Sequence, residues 1–171
     1  MQWIESFCDK CAKYLGIFIA FLLIIMMINV AFDTMNRYLM NSNSVALQEM
    51  EWHLFSVIIL LGTSYALSEE GHVRVDIFYT NFSAKKKAII NMVGVITFVL
   101  PLSLLVAFGS LGFVAEAYNF MEQSGDPGGL HYRFIIKGLI PTAFFILIFM
   151  SIGYFARNYN LLKRLNSSSD S

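Results

Sequence analysis

The sequence predicts an all-α integral membrane protein, with four transmembrane helices and a short amphipathic interfacial helix between the second and third. Three observations carry this. Apolar residues of the AVILMFWYC set make up 57% of the 171 residues. Charged residues make up only 14%, against about 25% in an ordinary soluble domain. The 12 basic and 12 acidic residues also fall between four apolar blocks, each long enough to approach the ~20 residues that cross a hydrocarbon core. A soluble fold of this size would leave too much of that apolar surface facing water. The formal net charge of zero offers no general basic surface for nucleic acid, so no such partner is expected.

The first block, residues 14–32, is uncharged, and its helix is expected to continue to 36. Lys10 and Lys13 precede it as in a signal peptide, but the run is long and no small-x-small cleavage site follows. The second span is expected over 47–68, with Glu49 and Glu51 at the headgroups and Trp52 at the interface. The third, 88–115, is uncharged for 28 residues, about 42 Å as a straight helix, so it must tilt, bend or emerge from the bilayer. Pro101 is placed to kink it, and Gly94, Gly109, Ser110 and Gly112 read as marks of close helix packing. The fourth span is expected over 134–156, with Pro141 near its start. The connections are too short for a soluble domain, so 1–171 reads as one membrane domain.

An even number of spans puts both termini and the central connection on one side. That side holds Lys10, Lys13, Arg74, Lys85, Lys86, Lys87, Arg157, Lys163 and Arg164, against Arg37, Arg133 and Lys137 opposite. Nine basic residues against three place both ends in the cytoplasm. The segment from His72 to Tyr79 reads as an interfacial helix over about 73–84. It would turn Val75, Phe78, Tyr79 and Phe82 to lipid and Arg74, Asn81 and Lys85 to water. Lys85, Lys86 and Lys87 then anchor it at the anionic inner leaflet.

Asn29, Asp33 and Arg37 recur every four residues and share a helix face. Asp33 with Arg37 reads either as a pair contacting a partner subunit or a water-filled seam, or as a helix end among outer headgroups. Glu49, Glu51 and Trp52 read as structural or partner contacts, or as residues exposed to headgroups. Cys8 and Cys11 have CxxC spacing but supply too few ligands for zinc or an iron–sulfur cluster. His53 and His131 both approach the outer leaflet without lying deep in a span, and no Cys-x-x-Cys-His accompanies them. No nucleophile–base set, phosphate loop or HExxH motif is present, so neither enzyme activity nor a cofactor or metal is expected.

The segment Gly62-Thr63-Ser64-Tyr65-Ala66-Leu67, followed by Glu70-Gly71-His72-Val73-Arg74-Val75-Asp76, resembles the small (DctQ-like) membrane subunit of the tripartite ATP-independent periplasmic (TRAP) transporters. The acidic and Trp cluster at Glu49, Glu51 and Trp52, the four spans and the overall length extend the likeness over nearly the whole chain. The resemblance implies a heteromeric, sodium-coupled importer of an organic acid in a bacterial or archaeal inner membrane. A periplasmic solute-binding protein captures the acid, and a large elevator-type membrane subunit holds the solute and sodium sites. The small subunit packs against that large one as a scaffold, among membrane lipids. Gly71, His72, Arg74 and Asp76 would shape the inner connection, while Glu49, Glu51 and Trp52 would brace the outer end. The long third span and the Gly/Pro loop after it depart from the pattern. The alternative is an independent membrane adaptor, or a structural subunit of another complex.

Overall fold

In hydrocarbon every backbone N–H and C=O must find a partner inside the chain, and an uninterrupted apolar block meets that demand most directly as a helix. The computed structural model describes residues 2–69 and 82–167. It contains α1 (Gln2–Met40), α2 (Val45–Ser68), α3 (Ala84–Gly94), a π-helical turn (Val95–Val99), α4 (Leu100–Gly109), α5 (Leu111–Asn119) and α6 (Arg133–Ser167). The pieces α3 to α5 follow one another as a single composite helix, and no strand occurs among the described residues. Four stretches are long and apolar enough to cross a membrane: Trp3–Met40, Val45–Ser68, Ala84–Asn119 and Arg133–Ser167. The chain is therefore an all-α, multi-pass membrane protein.

The helices outrun their apolar blocks. Helix α1 has 39 residues, about 58 Å of rise against a core of roughly 30 Å, so its charged ends extend past the hydrocarbon. It stops at Asn41, which takes a left-handed φ of 50°, a conformation asparagine tolerates better than most residues. The Ser42 N–H then returns to the Asn36 carbonyl at 3.4 Å. Ser44 caps α2 by accepting from the Leu47 N–H at 3.4 Å, and Ser83 caps α3 in the same way from Lys86. Phe82 and Ser83 lie outside any helix. Residues 73–81 of the expected interfacial helix, which include Arg74 and Asp76, fall outside the described residues, as do Gly71 and His72 before it, while Ala84 opens α3.

Helix α6 is the hub. It packs against α1 and α2, which also pack on each other, and along the whole composite helix from α3 to α5. One apolar cluster joins Leu67 of α2, Val95 of the π turn, and Leu147 and Tyr154 of α6; a second joins Ile19, Leu61 and Ala143. The composite helix meets α6 through a stripe of small buried residues, Ala88, Ser103, Ala107 and Ala117, which lets the two backbones approach closely.

The glycine expectation is corrected here. A Cβ placed on Gly94, Gly109 or Gly112 would meet nothing within 4 Å. These residues lie off the stripe that faces α6, where alanine and serine already supply the closeness. The glycines that do permit contact are elsewhere. A Cβ on Gly16 would come within 2.6 Å of the Tyr65 ring, and one on Gly153 would collide with the Cys8 side chain. Pro101 follows the π turn, in which the Leu100 N–H donates to the Val95 carbonyl five residues back. That wider register accommodates a residue that has no N–H of its own. The composite helix turns again at Ser110.

Candidate functional site

The charged side chains among the described residues all lie outside the uncharged runs 14–32, 52–68, 88–115 and 138–156, so the polar chemistry concentrates at the two ends of the bundle. One end carries the connections α1–α2 and α5–α6. There Asn29 donates from Nδ2 to the Leu47 carbonyl at 3.0 Å, tying α1 to α2. One turn further along that face, Asp33 is 2% exposed and pairs through Oδ2 with Arg37, whose side chain is half exposed. The other carboxylate oxygen, Oδ1, has no hydrogen-bond partner among the described residues. The structure thus keeps Asp33 inside the chain and leaves Arg37 on its surface.

Glu49 organises the α5–α6 connection. Its Oε1 accepts from the Ser124 hydroxyl, its Oε2 accepts from the Leu130 N–H at 2.6 Å, and Arg133 at the start of α6 stands 3.6 Å away. The connection also bonds to itself: Ser124 N–H to the Leu130 carbonyl at 3.1 Å, and Arg133 N–H to the Glu122 carbonyl at 2.9 Å. Gly128 supplies a φ of 82°, and a side chain on Gly129 would collide with Ser124 and with Glu49. Lys137 pairs with Glu122 and sits 3.9 Å from the centre of the Phe113 ring, holding α6 to the end of the composite helix.

The opposite end carries both chain termini. Arg157 of α6 donates from Nη1 to the Ser68 carbonyl at the end of α2 at 2.8 Å, and pairs through Nη2 with Asp9 of α1. One guanidinium therefore joins three helices, which its forked, planar donor set permits. Asn160 donates to Glu5 at 2.7 Å, and Asn91 of α3 donates to Asn158 at 3.0 Å. Cys8 is buried against Gly153, while Cys11 is only partly buried; both are free thiols.

The sequence-predicted residues do not converge. Glu49 faces the α5–α6 connection, whereas Glu51 and Trp52 line a separate cleft of about 210 Å³ with Met26 and Phe55. Trp52 is 69% exposed and meets Phe55 edge to face at 6.3 Å. His53 and His131 do come together, in a mostly apolar cleft of about 280 Å³ between α2 and α6. Among the described residues no group of three or more His, Cys, Asp or Glu is placed to hold a metal ion. Lys85 and Lys86 are exposed at the start of α3, and Lys87 is partly buried.

Sequence reasoning missed the terminal frame. Arg157 counted only as a topological charge, and nothing local points from it to Asp9, 148 residues away. A usable signal was the polar set Arg157, Asn158 and Asn160 directly after the last apolar block, since polar groups at a helix end in a bundle need partners. Ser124 and Gly129 belong to the Gly/Pro loop after the third span, and nothing local in it points to Glu49, 75 residues from Ser124.

Two comparisons with known proteins bear on this bundle. The family described as the DctQ component of tripartite ATP-independent periplasmic transporters matches residues 26–161. A Haemophilus influenzae protein described as a TRAP transporter small permease protein is 26% identical over 152 residues, covering 87% of this chain and 88% of that protein. This is a family of transporter subunits and not of enzymes. With four helices long and apolar enough to span a membrane and a family match that runs through all four and takes in the Glu49 frame and Arg157, the chain belongs to the DctQ component family of the TRAP transporters.

Proposed function

We propose that this chain is the scaffolding small subunit of a sodium-coupled TRAP-type importer of an organic acid, packed against a large elevator-type transport subunit and supplied by a periplasmic solute-binding protein. The observation that carries the reading is the distribution of polarity. The charged side chains that have partners pair at the two ends of the bundle, while the middle presents bulky apolar groups outward, such as Phe21, Ile24 and Ile28 on α1 and Phe98, Leu102 and Leu105 on the composite helix. A brace needs such a surface for lipid and a partner helix. A solute path needs polar groups converging on a cavity at mid-membrane depth. Family membership supports the same reading.

In this reading both termini are cytoplasmic and the membrane is the inner one. Arg37, paired with the buried Asp33, and the Glu51–Trp52 cleft are the contacts offered to the large subunit at the outer end. Gly71, His72, Arg74 and Asp76 shape the inner connection, and Lys85, Lys86 and Lys87 hold it at the leaflet. The test is uptake by cells or vesicles containing this chain, the large subunit and the binding protein, singly and together. Uptake only with all three supports the proposal. Uptake by the reconstituted chain alone overturns it, and transport unchanged when the chain is deleted makes it an adaptor for something else. Removing charge at Arg74 or Asp76 lowers the yield of assembled complex.

A further inference from the structure

Between α1 and α6, at the end that carries both termini, lies an open cleft of about 500 Å³ lined by Glu5, Ser6, Asp9, Lys10, Lys13 and Arg164. Its depth follows from the sequence. Lys13 is the last charge before the apolar block 14–32, and Arg157 is the first after the block 138–156. The cleft therefore sits in the turns just outside the hydrocarbon, at the level of lipid headgroups. Trp3 and Phe7, exposed on the same stretch of α1 with ring centres 5.8 Å apart, suit that depth.

The charges of the cleft are unequally engaged. Asp9 is paired with Arg157, and Glu5 accepts from Asn160. Lys10, Lys13 and Arg164 are exposed, and among the described residues none of them has an ion-pair partner. Counting Arg157, four cations face two carboxylates, and both carboxylates are occupied by the bundle's own frame. We infer that this cleft binds the phosphate of an anionic phospholipid headgroup, with Lys10 and Lys13 of α1 and Arg164 of α6 as its donors. Basic clefts between helices at a headgroup surface have the charge and the donors for that ligand. All three residues lie outside the family match over 26–161, so the inference is separate from the transport reading and stands or falls without it.

The experiment is native mass spectrometry of the purified full chain in micelles doped with phosphatidylglycerol, phosphatidylcholine or excess inorganic phosphate. The wild-type chain is expected to retain phosphatidylglycerol in preference to phosphatidylcholine. The K10Q/K13Q/R164Q variant should retain at least about fivefold less. A K85Q/K86Q/K87Q variant, which removes the same charge from the leaflet anchors beside the same end, should lose clearly less of it, and the charge-preserving K10R/K13R variant should retain it as the wild type does. Excess inorganic phosphate that leaves the lipid in place identifies the headgroup as the ligand. Displacement by phosphate keeps the anion site and makes its source soluble. Undiminished retention in K10Q/K13Q/R164Q, equal loss in K85Q/K86Q/K87Q, or equal retention of phosphatidylcholine overturns the site.

Discussion

Glu49 and Arg157 do comparable work at opposite ends of the bundle, yet they join different things. Glu49 gathers a connection: Ser124, the Leu130 amide and Arg133 are all in or beside the segment between α5 and α6. Arg157 gathers helices: the end of α2 and the first turns of α1 meet on one side chain of α6. A tie between helices resists their separation, and so bears on the stability of the whole bundle. A tie to a connection orders a local segment that can open without unfolding the rest. The contrast predicts a global response at the terminal end and a local one at the other.

The largest effect is expected where the terminal end is most tightly packed. Gly153→Ala should destabilise the chain in detergent by about 1–3 kcal/mol, because the added methyl overlaps Cys8. Adding Cys8→Gly should restore much of that loss, whereas two independent defects would add. Arg157→Ala should cost about 1–2 kcal/mol by thermal or denaturant unfolding, since it removes a charged hydrogen bond to Ser68 and a partly exposed pair with Asp9. Arg157→Lys should recover only part of it, because an ammonium lacks the planar fork that reaches both partners. Full recovery by lysine would reduce the three-helix joint to a simple charge.

Smaller effects sharpen the comparison. Asn91→Ala and Asn158→Ala should each cost under about 1 kcal/mol, with a coupling of about 0.6 kcal/mol in a double-mutant cycle. Glu49→Ala should move the global midpoint least. It should nevertheless raise hydrogen exchange at the Leu130 amide and proteolysis between residues 120 and 132, as its acceptors are lost. A midpoint shift as large as that of Arg157→Ala, with the Leu130 amide still protected, would erase the distinction between the two ends.

Much of the architecture was legible beforehand. The four spans and the Lys/Arg asymmetry are sums over neighbouring residues, and Pro101 marked the irregular third helix through its missing N–H. The candidate sites were legible only in part. Glu49 was singled out for its position at a span end, but its partners in the α5–α6 connection were not. Asp33 and Arg37 were found by their helical spacing, while the burial of one and exposure of the other depend on what packs against that face. Gly94, Gly109 and Gly112 misled because a small residue permits close approach without showing which way it points.

By itself the sequence determined that the chain lives in lipid, that it crosses four times, and that its charges stand at the span ends. These follow because transfer of each residue from water to hydrocarbon is a local free energy that accumulates along the chain. Only the tertiary structure decided that α6 is the hub, that Cys8 fits against Gly153, and that Asp9 and Ser68 meet on Arg157. Those pairings depend on the rotation and register of one helix against another, which packing and directional hydrogen bonds set and hydropathy does not.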